Sequence, residues 1–301
     1  MTAPRLSMPV AGFHAVPDMR MVPIQRLAAG GRWRTEAMRS YSVPLLLWFT
    51  KGQGRITVAG LTRGYGPHNA IFLPPGTMHG FDMLGQVFGH ALFLPRDGGG
   101  LSWPDEPLHL RLRDVRGQTD LTGLLETLER ELQGADAPSA RAAHFQAGLI
   151  SVFLERHADD PDLFAGPRRR RSADRLAAAF TALVERDFPS PRPVADYAAE
   201  LGVTPTHLTR ACKASCGRGA LDLLSDRKLY EARRRLAETQ EPVKDIAKAL
   251  GFTSAAYFTR AFRSGTGTSP TEFRRSVEQK PQAQTPQGQR PQTQRPQTRA
   301  T

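Results

Sequence analysis

The chain has 301 residues, of which 40% are hydrophobic and 23% charged, and its formal net charge is +12. This length predicts about two domains, and the hydrophobic content is sufficient to form buried cores. The N-terminus lacks the pattern of a signal peptide, and no apolar run approaches the roughly 20 residues that a membrane span needs, so we expect a cytoplasmic protein.

The positive charge is concentrated in the C-terminal half of the chain. Residues 1–167 carry 16 basic and 16 acidic side chains, residues 168–276 carry 21 and 12, and residues 277–301 carry 4 and 1. This segregation predicts a polyanion as the partner of the C-terminal half and a different task for the neutral half.

Short runs of strand-forming residues extend from the N-terminus to about Pro95, within a domain that we assign to residues 1–115. The runs SVPLLLWFT, GRITVAG, NAIFLPP and GHALFLP alternate with the turn clusters KGQG, GYGPH and PGTMHG. Several short strands at this spacing predict a small β-barrel or sandwich.

Hydrophobic residues recur at helical spacing in residues 116–160. Leucines repeat from Leu121 to Leu132, and apolar residues repeat again from Phe145 to Phe153, after a break at Gly134–Ser139. The pattern predicts two amphipathic helices, which either cover the barrel or form a dimer seam.

Two segments have a composition that is typical of polypeptide outside a folded domain. Residues 161–175 contain Pro, Gly and the basic run Arg168–Arg171, and they predict an exposed linker whose arginines are solvated or contact phosphates. Residues 277–301 are Pro/Gln/Thr repeats without an apolar anchor, and they predict a disordered tail.

One pattern occurs twice in the remaining segment, residues 176–276. AAELGVTPTHLTRACKASCG begins at Ala198, and AKALGFTSAAYFTRAFRSGTG begins at Ala247. Matching residues are 49 positions apart before the predicted turn and 50 after it, so the second turn is one residue longer.

Each copy has the features of a helix-turn-helix unit. Gly202 and Gly251 can end a first helix in the left-handed conformation. Thr204, followed by Pro205, can cap the second helix of the first unit, and either Thr253 or Ser254 can do so in the second. Small Ala198 and Ala247 allow the two helices of each unit to cross closely.

The second helix of each unit is predicted to bury one face and expose a polar one. Leu208 and Cys212 face inward in the first unit, and Phe258 and Phe262 do so in the second. Hydrogen-bonding and guanidinium side chains on the other face suit base edges and phosphates, although either arginine could instead form an ordinary salt bridge. The residues that we expect to face DNA are Thr206, His207, Thr209, Arg210, Lys213, Ser254, Ala256, Tyr257, Thr259 and Arg260.

A helical stripe separates the two units and ends at Pro242. Its positions are Leu221, Leu224, Lys228, Leu229, Ala232 and Leu236. A helix of about 18 residues spans roughly 27 Å, which would hold the units about one DNA turn apart. One chain could then read two successive major grooves.

The motifs in Val194–Arg275 resemble the AraC family of bacterial transcription regulators. The resemblance lies in I-A-x-x-L-G-F, Y-F-x-R-x-F and G-x-S-P-x-E-F-R, which run from Ile246 to Arg275. It implies that Thr206, Thr209 and Arg210, with Ala256, Tyr257 and Arg260, face DNA. The first unit departs from the family pattern, since Cys212 stands where Phe is usual and Gly219-Ala220 where Ser-Pro is usual, and this predicts a thinner core there.

The N-terminal half resembles the cupin-type sensing domain that is often joined to such regulators. Gly52 and Gly54 precede a strand, and Pro74-Pro75-Gly76-Thr77-Met78-His79 follows later. A metal-binding cupin needs a His-x-His pair, a carboxylate and a further His, whereas only His79 stands at a familiar position here and His68 and His90 are scattered. We therefore expect no metal, cofactor or catalytic residue.

Four residues are candidates for effector binding in the barrel, namely Trp48, Arg55, His79 and Phe81. The alternatives are that they are barrel-core residues and that His79 is a turn residue bonded to the backbone. Cys212 and Cys216 are one helical turn apart and form either a redox switch or, as small core residues, part of the packing.

The sequence thus predicts an α+β multidomain protein, with an N-terminal cupin-like β-barrel plus helices and a C-terminal all-α domain with two helix-turn-helix units. The expected function is sequence-specific transcription regulation under the control of a small-molecule effector, without enzymatic activity. The expected partners are promoter DNA, RNA polymerase and a second copy of the chain. The alternatives are a constitutive DNA-binding protein whose barrel only dimerises and a cupin enzyme with an appended DNA-binding domain.

Overall fold

A computed structural model of the protein describes residues 19–96, 100–158 and 171–279. Most of the predicted linker and nearly all of the predicted tail lie outside these residues. Within the described ranges the N-terminal half forms seven strands, all paired in antiparallel fashion. They are β1 (Arg20–Pro23), β2 (Leu45–Val58), β3 (Leu61–Tyr65), β4 (Asn69–Leu73), β5 (His79–Phe81), β6 (Leu84–Phe93) and β7 (Leu108–Arg111).

The long strand β2 belongs to both layers of the barrel. Its first half pairs with β4 and β6 in a sheet of order β1-β6-β2-β4-β7, and its second half pairs with β3 and β5. Register shifts between Phe49 and Gln53 mark the bend between the halves. Gly52 lies at this bend with φ +88°, and a Cβ there would stand 2.4 Å from the carbonyl oxygen of Gln86, so the bend requires glycine.

Alternation along β2 separates two hydrophobic cores. Leu45, Leu47 and Phe49 point into the barrel, whereas Leu46 and Trp48 point to the other side of the sheet. That outer face is covered by α2 (Val115–Gln133) and α3 (Ala137–Ala158), which pack on each other and on the sheet. Successive side chains of a strand point to opposite faces of the sheet, and in β2 both faces are apolar. The barrel interior buries one face, and the helices bury the other.

The C-terminal half is helical. Its helices are α4 (Ser172–Asp187), α5 (Val194–Glu200), α6 (Pro205–Cys216), α7 (Ala220–Glu238), α8 (Val243–Ala249), α9 (Ala255–Thr266) and α10 (Pro270–Glu278). A short 3₁₀ helix (Ile24–Ala28) and α1 (Trp33–Glu36) belong to the N-terminal half. Helix α4 begins at Ser172, inside the predicted linker, because Asp174 accepts hydrogen bonds from Arg171 and stabilises its first turn.

The two halves share a hydrophobic core and several polar contacts. Met38 and Met78 of the N-terminal half lie in the same buried cluster as Ala177 and the other core residues of the helical half. The backbone N–H of Met38 donates to Asp226 on α7 at 2.8 Å, and the Ser40 hydroxyl donates to Glu185 on α4 at 2.5 Å. The barrel is therefore docked directly onto helices α4 and α7.

The predicted α+β architecture is confirmed, with a strand-rich N-terminal half and an all-α C-terminal half that contains two helix-turn-helix units. Among the helices of the described ranges, none is long and apolar enough to cross a membrane.

Candidate nucleic-acid interface

The first helix-turn-helix unit consists of α5, a turn and α6. Gly202 follows the end of α5 with φ +67°, and its N–H donates to the carbonyl of Ala199 at 3.0 Å. The N–H of Val203 donates to Ala198 at the same distance. These two bonds form a Schellman motif, which satisfies the last carbonyls of α5 and turns the chain toward α6.

The second unit, α8 and α9, repeats the motif with the same hydrogen bonds. Gly251 has φ +71°, its N–H donates to Lys248, and the N–H of Phe252 donates to Ala247, both at 3.0 Å. Four residues separate α5 from α6, whereas five separate α8 from α9, which accounts for the change in offset along the sequence.

Side chains cap the start of each second helix. Thr204 accepts from the N–H of His207 at 3.2 Å, with Pro205 as the first helical residue, and Ser254 accepts from the N–H of Tyr257 at 3.1 Å. The prediction left Thr253 and Ser254 open, and the structure selects Ser254. Both helices therefore begin at a defined residue, which fixes the rotation of the side chains that follow.

The inward and outward faces of α6 and α9 are as predicted. Leu208, Cys212, Phe258 and Phe262 are fully buried in the helical core. Of the ten residues expected to face DNA, eight are exposed and two, Thr209 and Thr259, are half-buried. The exposed set is Thr206, His207, Arg210, Lys213, Ser254, Ala256, Tyr257 and Arg260.

Neither of the two matched arginines has an ion-pair partner among the described residues. Arg210 and Arg260 are each the sixth residue of their helix. Within the described part of the chain neither has a carboxylate within 4.0 Å, whereas Arg186, Arg192 and Arg227 are all paired. The guanidinium groups of α6 and α9 are thus available for an external acceptor.

A groove of about 890 Å³ runs between the two units. Thr209 of α6 lines it on one side, Tyr257 and Ala261 of α9 line it on the other, and Leu221 and Ser225 of α7 form its floor. The prediction that Leu221 belongs to the buried stripe of α7 is wrong: its side chain is 64% exposed, because the inward face is turned toward Leu223 and Leu224. Ser225, four residues after Leu221 on the same face of α7, also lines the groove and was not singled out from the sequence.

Comparison with known proteins places this geometry in a family. Residues 197–276 match the model of a family described as a helix-turn-helix domain. The arabinose operon regulatory protein of Escherichia coli is 30% identical over 264 residues, which cover 82% of this chain and 84% of that protein. The chain belongs to the AraC family.

The chain is also similar to a second regulator and to a solved structure. The transcriptional activator RhaR of Klebsiella pneumoniae is 26% identical over 69% of this chain and 68% of its own. The crystal structure of ToxT from Vibrio cholerae aligns with 87% of this chain and 98% of its own at 12% identity, with a TM-score of 0.40. As a member of the AraC family, the chain is a DNA-binding transcription regulator.

The four residues expected to bind an effector in this AraC-family chain do not line a common cavity. Trp48 lies on the outer face of the sheet under α2 and α3, whereas Phe81 lies inside the barrel. Arg55 is exposed on β2, and His79 is buried. Trp48 and Phe81 face opposite sides of the barrel wall, so they cannot line the same cavity.

His79 has the backbone hydrogen bond that one of the alternatives predicted. Its Nδ1 is hydrogen-bonded to the Thr77 carbonyl at 2.9 Å, as expected of a turn residue, and its Nε2 is buried without a partner among the described residues. Burial and the nearby guanidinium groups of Arg39 and Arg227 lower the pKa of His79 to about 3, so the ring is neutral.

The interior of the barrel is filled by its own side chains. The rings of Phe49 and Tyr65 are stacked with centroids 4.0 Å apart, and Phe81 packs edge-on against both. A small cavity of about 40 Å³ adjoins this core beside His109, whose Nε2 is hydrogen-bonded to Asn69 at 2.7 Å. A volume of this size admits about one water molecule.

The other candidates considered from the sequence were metal ligands and the two cysteine thiols. In the ranges that the structure describes, no three His, Cys, Asp or Glu side chains cluster as metal ligands would. Cys212 and Cys216 are both free, and burial raises the pKa of each thiol, to about 12 for Cys212. Their thiolate forms are therefore scarce at neutral pH.

Proposed function

We propose that this regulator reads promoter DNA by inserting α6 and α9 into two successive major grooves. The observation that carries the proposal is the equivalent placement of Arg210 and Arg260, exposed and unpaired among the described residues, at the sixth position of two capped helices. Arginine can pair in bidentate fashion with guanine, and a single reading helix covers too few base pairs for useful specificity. Helix α7, with 19 residues, is about 28 Å long and holds the two units apart.

The other exposed residues of the two helices extend this interface. Thr206, His207, Lys213, Ser254 and Tyr257 present hydrogen-bonding or charged groups beside the two arginines. Thr209, Ala256 and Thr259 complete the contact set: Thr209 lies at the edge of the groove, and Ala256 can contact a thymine methyl group.

The experiment that tests the proposal is selection of genomic fragments by the purified full-length protein, followed by sequencing, at two salt concentrations. We expect a recurrent site with two recognition elements about 10 base pairs apart, because one helical turn separates successive major grooves on one face. Phosphate contacts alone would produce binding that weakens with salt on every sequence, and that outcome would refute specific reading.

We further propose that the N-terminal half, residues 1–115, controls DNA binding in response to a small-molecule effector. This half donates hydrogen bonds to Asp226 on α7 and Glu185 on α4, so a change in its docking alters the environment of the helices that carry the reading units. The proposed mechanism is a population shift, in which the effector binds one docked arrangement more tightly than another. The expected readout is a change in DNA affinity or promoter output, exerted through RNA polymerase in the cytoplasm, without chemical conversion of the effector.

Residues 116–160 are proposed to dimerise the chain. Helix α3 presents three large apolar side chains at helical spacing to solvent: Phe145, Leu149 and Val152 are 59, 53 and 38% exposed. A stripe of this kind on a helix that already covers the barrel with its other face supports pairing with a second copy.

In the proposed division, residues 161–175 link this segment to the DNA-binding residues 176–276, and 277–301 form a separate tail.

A further inference from the structure

The filled barrel raises the question of where an effector would bind. The cavity beside the barrel core has a volume of about 40 Å³, whereas small-molecule sites usually measure roughly 300–1,000 Å³. A pocket of about 360 Å³ lies between the two halves, where β1, the 3₁₀ helix and α1 face helix α7. It is large enough for a small organic molecule, and both halves contribute walls.

Positive charge dominates this seam pocket. It is lined by four arginines, Arg20, Arg26, Arg34 and Arg234, and by one carboxylate, that of Glu238. Glu238 is shared between Arg34 at 2.8 Å and Arg234 at 3.4 Å. One carboxylate therefore faces four guanidinium groups.

Three of the guanidinium groups retain capacity for another acceptor. In the described part of the chain, neither Arg20 nor Arg26 has a carboxylate within 4.0 Å; Arg20 instead lies over the ring of Phe93, 4.4 Å from its centroid. The Nε of Arg34 is buried without a hydrogen-bond partner. That atom is enclosed by the protein, but only Nη1 of Arg34 is bonded to Glu238, so among the described residues Nη2 keeps donor capacity for an anion.

The rest of the pocket is aromatic and aliphatic. Tyr41 and Phe93 of the N-terminal half and Tyr230 of α7 supply rings, and Val22 and Leu27 supply aliphatic surface. Guanidinium groups recognise planar carboxylates and phosphates by paired hydrogen bonds, while rings and aliphatic side chains suit an apolar body.

We propose that the seam pocket is an effector site for a small organic anion with an aromatic or aliphatic body. The inference rests on the proposed function, since it identifies where the sensed molecule binds and what class it belongs to. Because Arg234 is also held by Glu231 at 2.6 Å, an anion there competes with Glu238 chiefly for Arg34, and so acts on the ion pair that joins α1 to α7. Because the pocket exists only when the halves are docked, the ligand stabilises the docked arrangement.

The test is a titration calorimetry experiment on the full-length chain at low ionic strength with two anionic probes, indole-3-acetate and phenyl phosphate, and the neutral indole-3-acetamide. We expect at least one anion to bind with an affinity about tenfold or more above that of the amide, because a charge-assisted hydrogen bond is worth that factor.

Arg26→Gln and Arg20→Gln should each weaken anion binding by about fivefold or more, whereas Arg116→Gln, which removes an exposed charge on α2, should change it less than about twofold.

Three results would overturn the inference. They are equal binding of the anion and the amide, unchanged anion binding in Arg26→Gln and Arg20→Gln, and no binding of either anion at millimolar concentration. The same protein samples are assayed for binding to a fragment from the genomic selection. Specific DNA binding without anion binding refutes only the seam pocket, whereas failure to prefer any DNA sequence refutes the proposed function.

Discussion

Arg227 on α7 donates two hydrogen bonds to Glu185 on α4, from Nε at 2.7 Å and from Nη2 at 2.9 Å. The guanidinium also lies over the ring of Phe188, 3.8 Å from its centroid, and the arginine side chain is only 6% exposed. Ser40 of the N-terminal half donates to the same carboxylate. One buried ion pair therefore connects two helices of the C-terminal half with the barrel.

Replacing Arg227 with Ala should lower the free energy of unfolding by about 3–5 kcal/mol, because it leaves the Glu185 carboxylate, which is only 15% exposed, without its charged partner. Urea denaturation of the full-length chain measures the change. Arg32→Ala is the control, since its pair with Glu36 is exposed and should contribute less than about 1 kcal/mol. Similar losses in the two variants would contradict the structural role of the buried pair.

Arg210→Ala and Arg260→Ala should each weaken binding to the selected DNA site by about 1–3 kcal/mol and affect nonspecific DNA less, because a bidentate arginine-guanine contact carries sequence information. Fluorescence anisotropy with specific and scrambled duplexes measures both losses. Arg116→Ala, on α2, removes the same charge away from the proposed interface. If the loss is equal on every sequence, the arginines contact phosphates and not bases.

Glycine in the two turns can be required by the positive φ or by a close contact with neighbouring backbone. Gly202→Ala and Gly251→Ala form a matched pair of variants that separates these two requirements. Both positions have positive φ, and alanine in that conformation costs about 1–2 kcal/mol. A Cβ at Gly202 meets no atom within 4 Å, whereas one at Gly251 would stand 2.3 Å from the carbonyl carbon of Ser190. We expect Gly251→Ala to lower the free energy of unfolding by about 1–3 kcal/mol more than Gly202→Ala. Thermal denaturation tests this order, and equal losses would show that the Ser190 backbone moves away freely.

The stability of the protein should fall as the pH is lowered from about 6.5 toward 3. His79 has a pKa of about 3 in the folded chain, lowered by burial and then by Arg39 and Arg227, while a histidine in the unfolded chain titrates near 6.5. Between pH 6.5 and 3 the histidine is protonated in the unfolded state but not in the folded state. Each unit by which the pH is lowered therefore reduces the free energy of unfolding by about 1.4 kcal/mol through this group.

His79→Asn should reduce that slope by about the same amount, because the amide does not titrate. Urea denaturation at several pH values between 6.5 and 4.5 measures the slopes. His109, whose pKa is also lowered to about 3, remains in both proteins and contributes equally. Parallel slopes for the two proteins would show that His79 becomes protonated in the folded state.

Leu149→Asp should convert the proposed dimer to a monomer, because it places a charge in the centre of the apolar stripe on α3. Sedimentation velocity at micromolar concentration measures the mass. Val115→Asp is the control, since Val115 is 76% exposed and lies outside the stripe, at the start of α2. A monomeric wild-type chain, or a dimer that survives Leu149→Asp, would refute dimerisation through this face.

The repeated units were predictable because their signals are local. A glycine with positive φ, a capping hydroxyl and a buried i,i+4 pair each depend on a few neighbouring residues. The glycine and the buried pair were predicted in both copies, whereas the cap was predicted in the first copy and left open between Thr253 and Ser254 in the second. The apolar runs between turn clusters likewise predicted a small β-barrel or sandwich, and the resemblance to a cupin-type domain favoured the barrel. Leu221 was misassigned because a leucine at helical spacing is compatible with either side of α7, and only the position of the second unit decides which side is exposed.

The sites that involve distant residues were not predictable. Whether Trp48 and Phe81 share a cavity depends on how β2 bends and pairs, and the contact of Arg34 with Glu238 joins residues 204 positions apart. No local pattern specifies such pairs, because they follow from the way the barrel docks on α4 and α7. The seam pocket therefore has no signature in the sequence beyond its arginines.

The presence of Met38 and Met78 in the core of the helical half has a consequence for the evolution of such proteins. A different sensing domain could not replace this barrel simply by fusion at the linker, since it would have to supply two apolar side chains to that core and a backbone donor for Asp226. The two halves are thus constrained to change together, and exchange of one of them requires compensating changes across the seam.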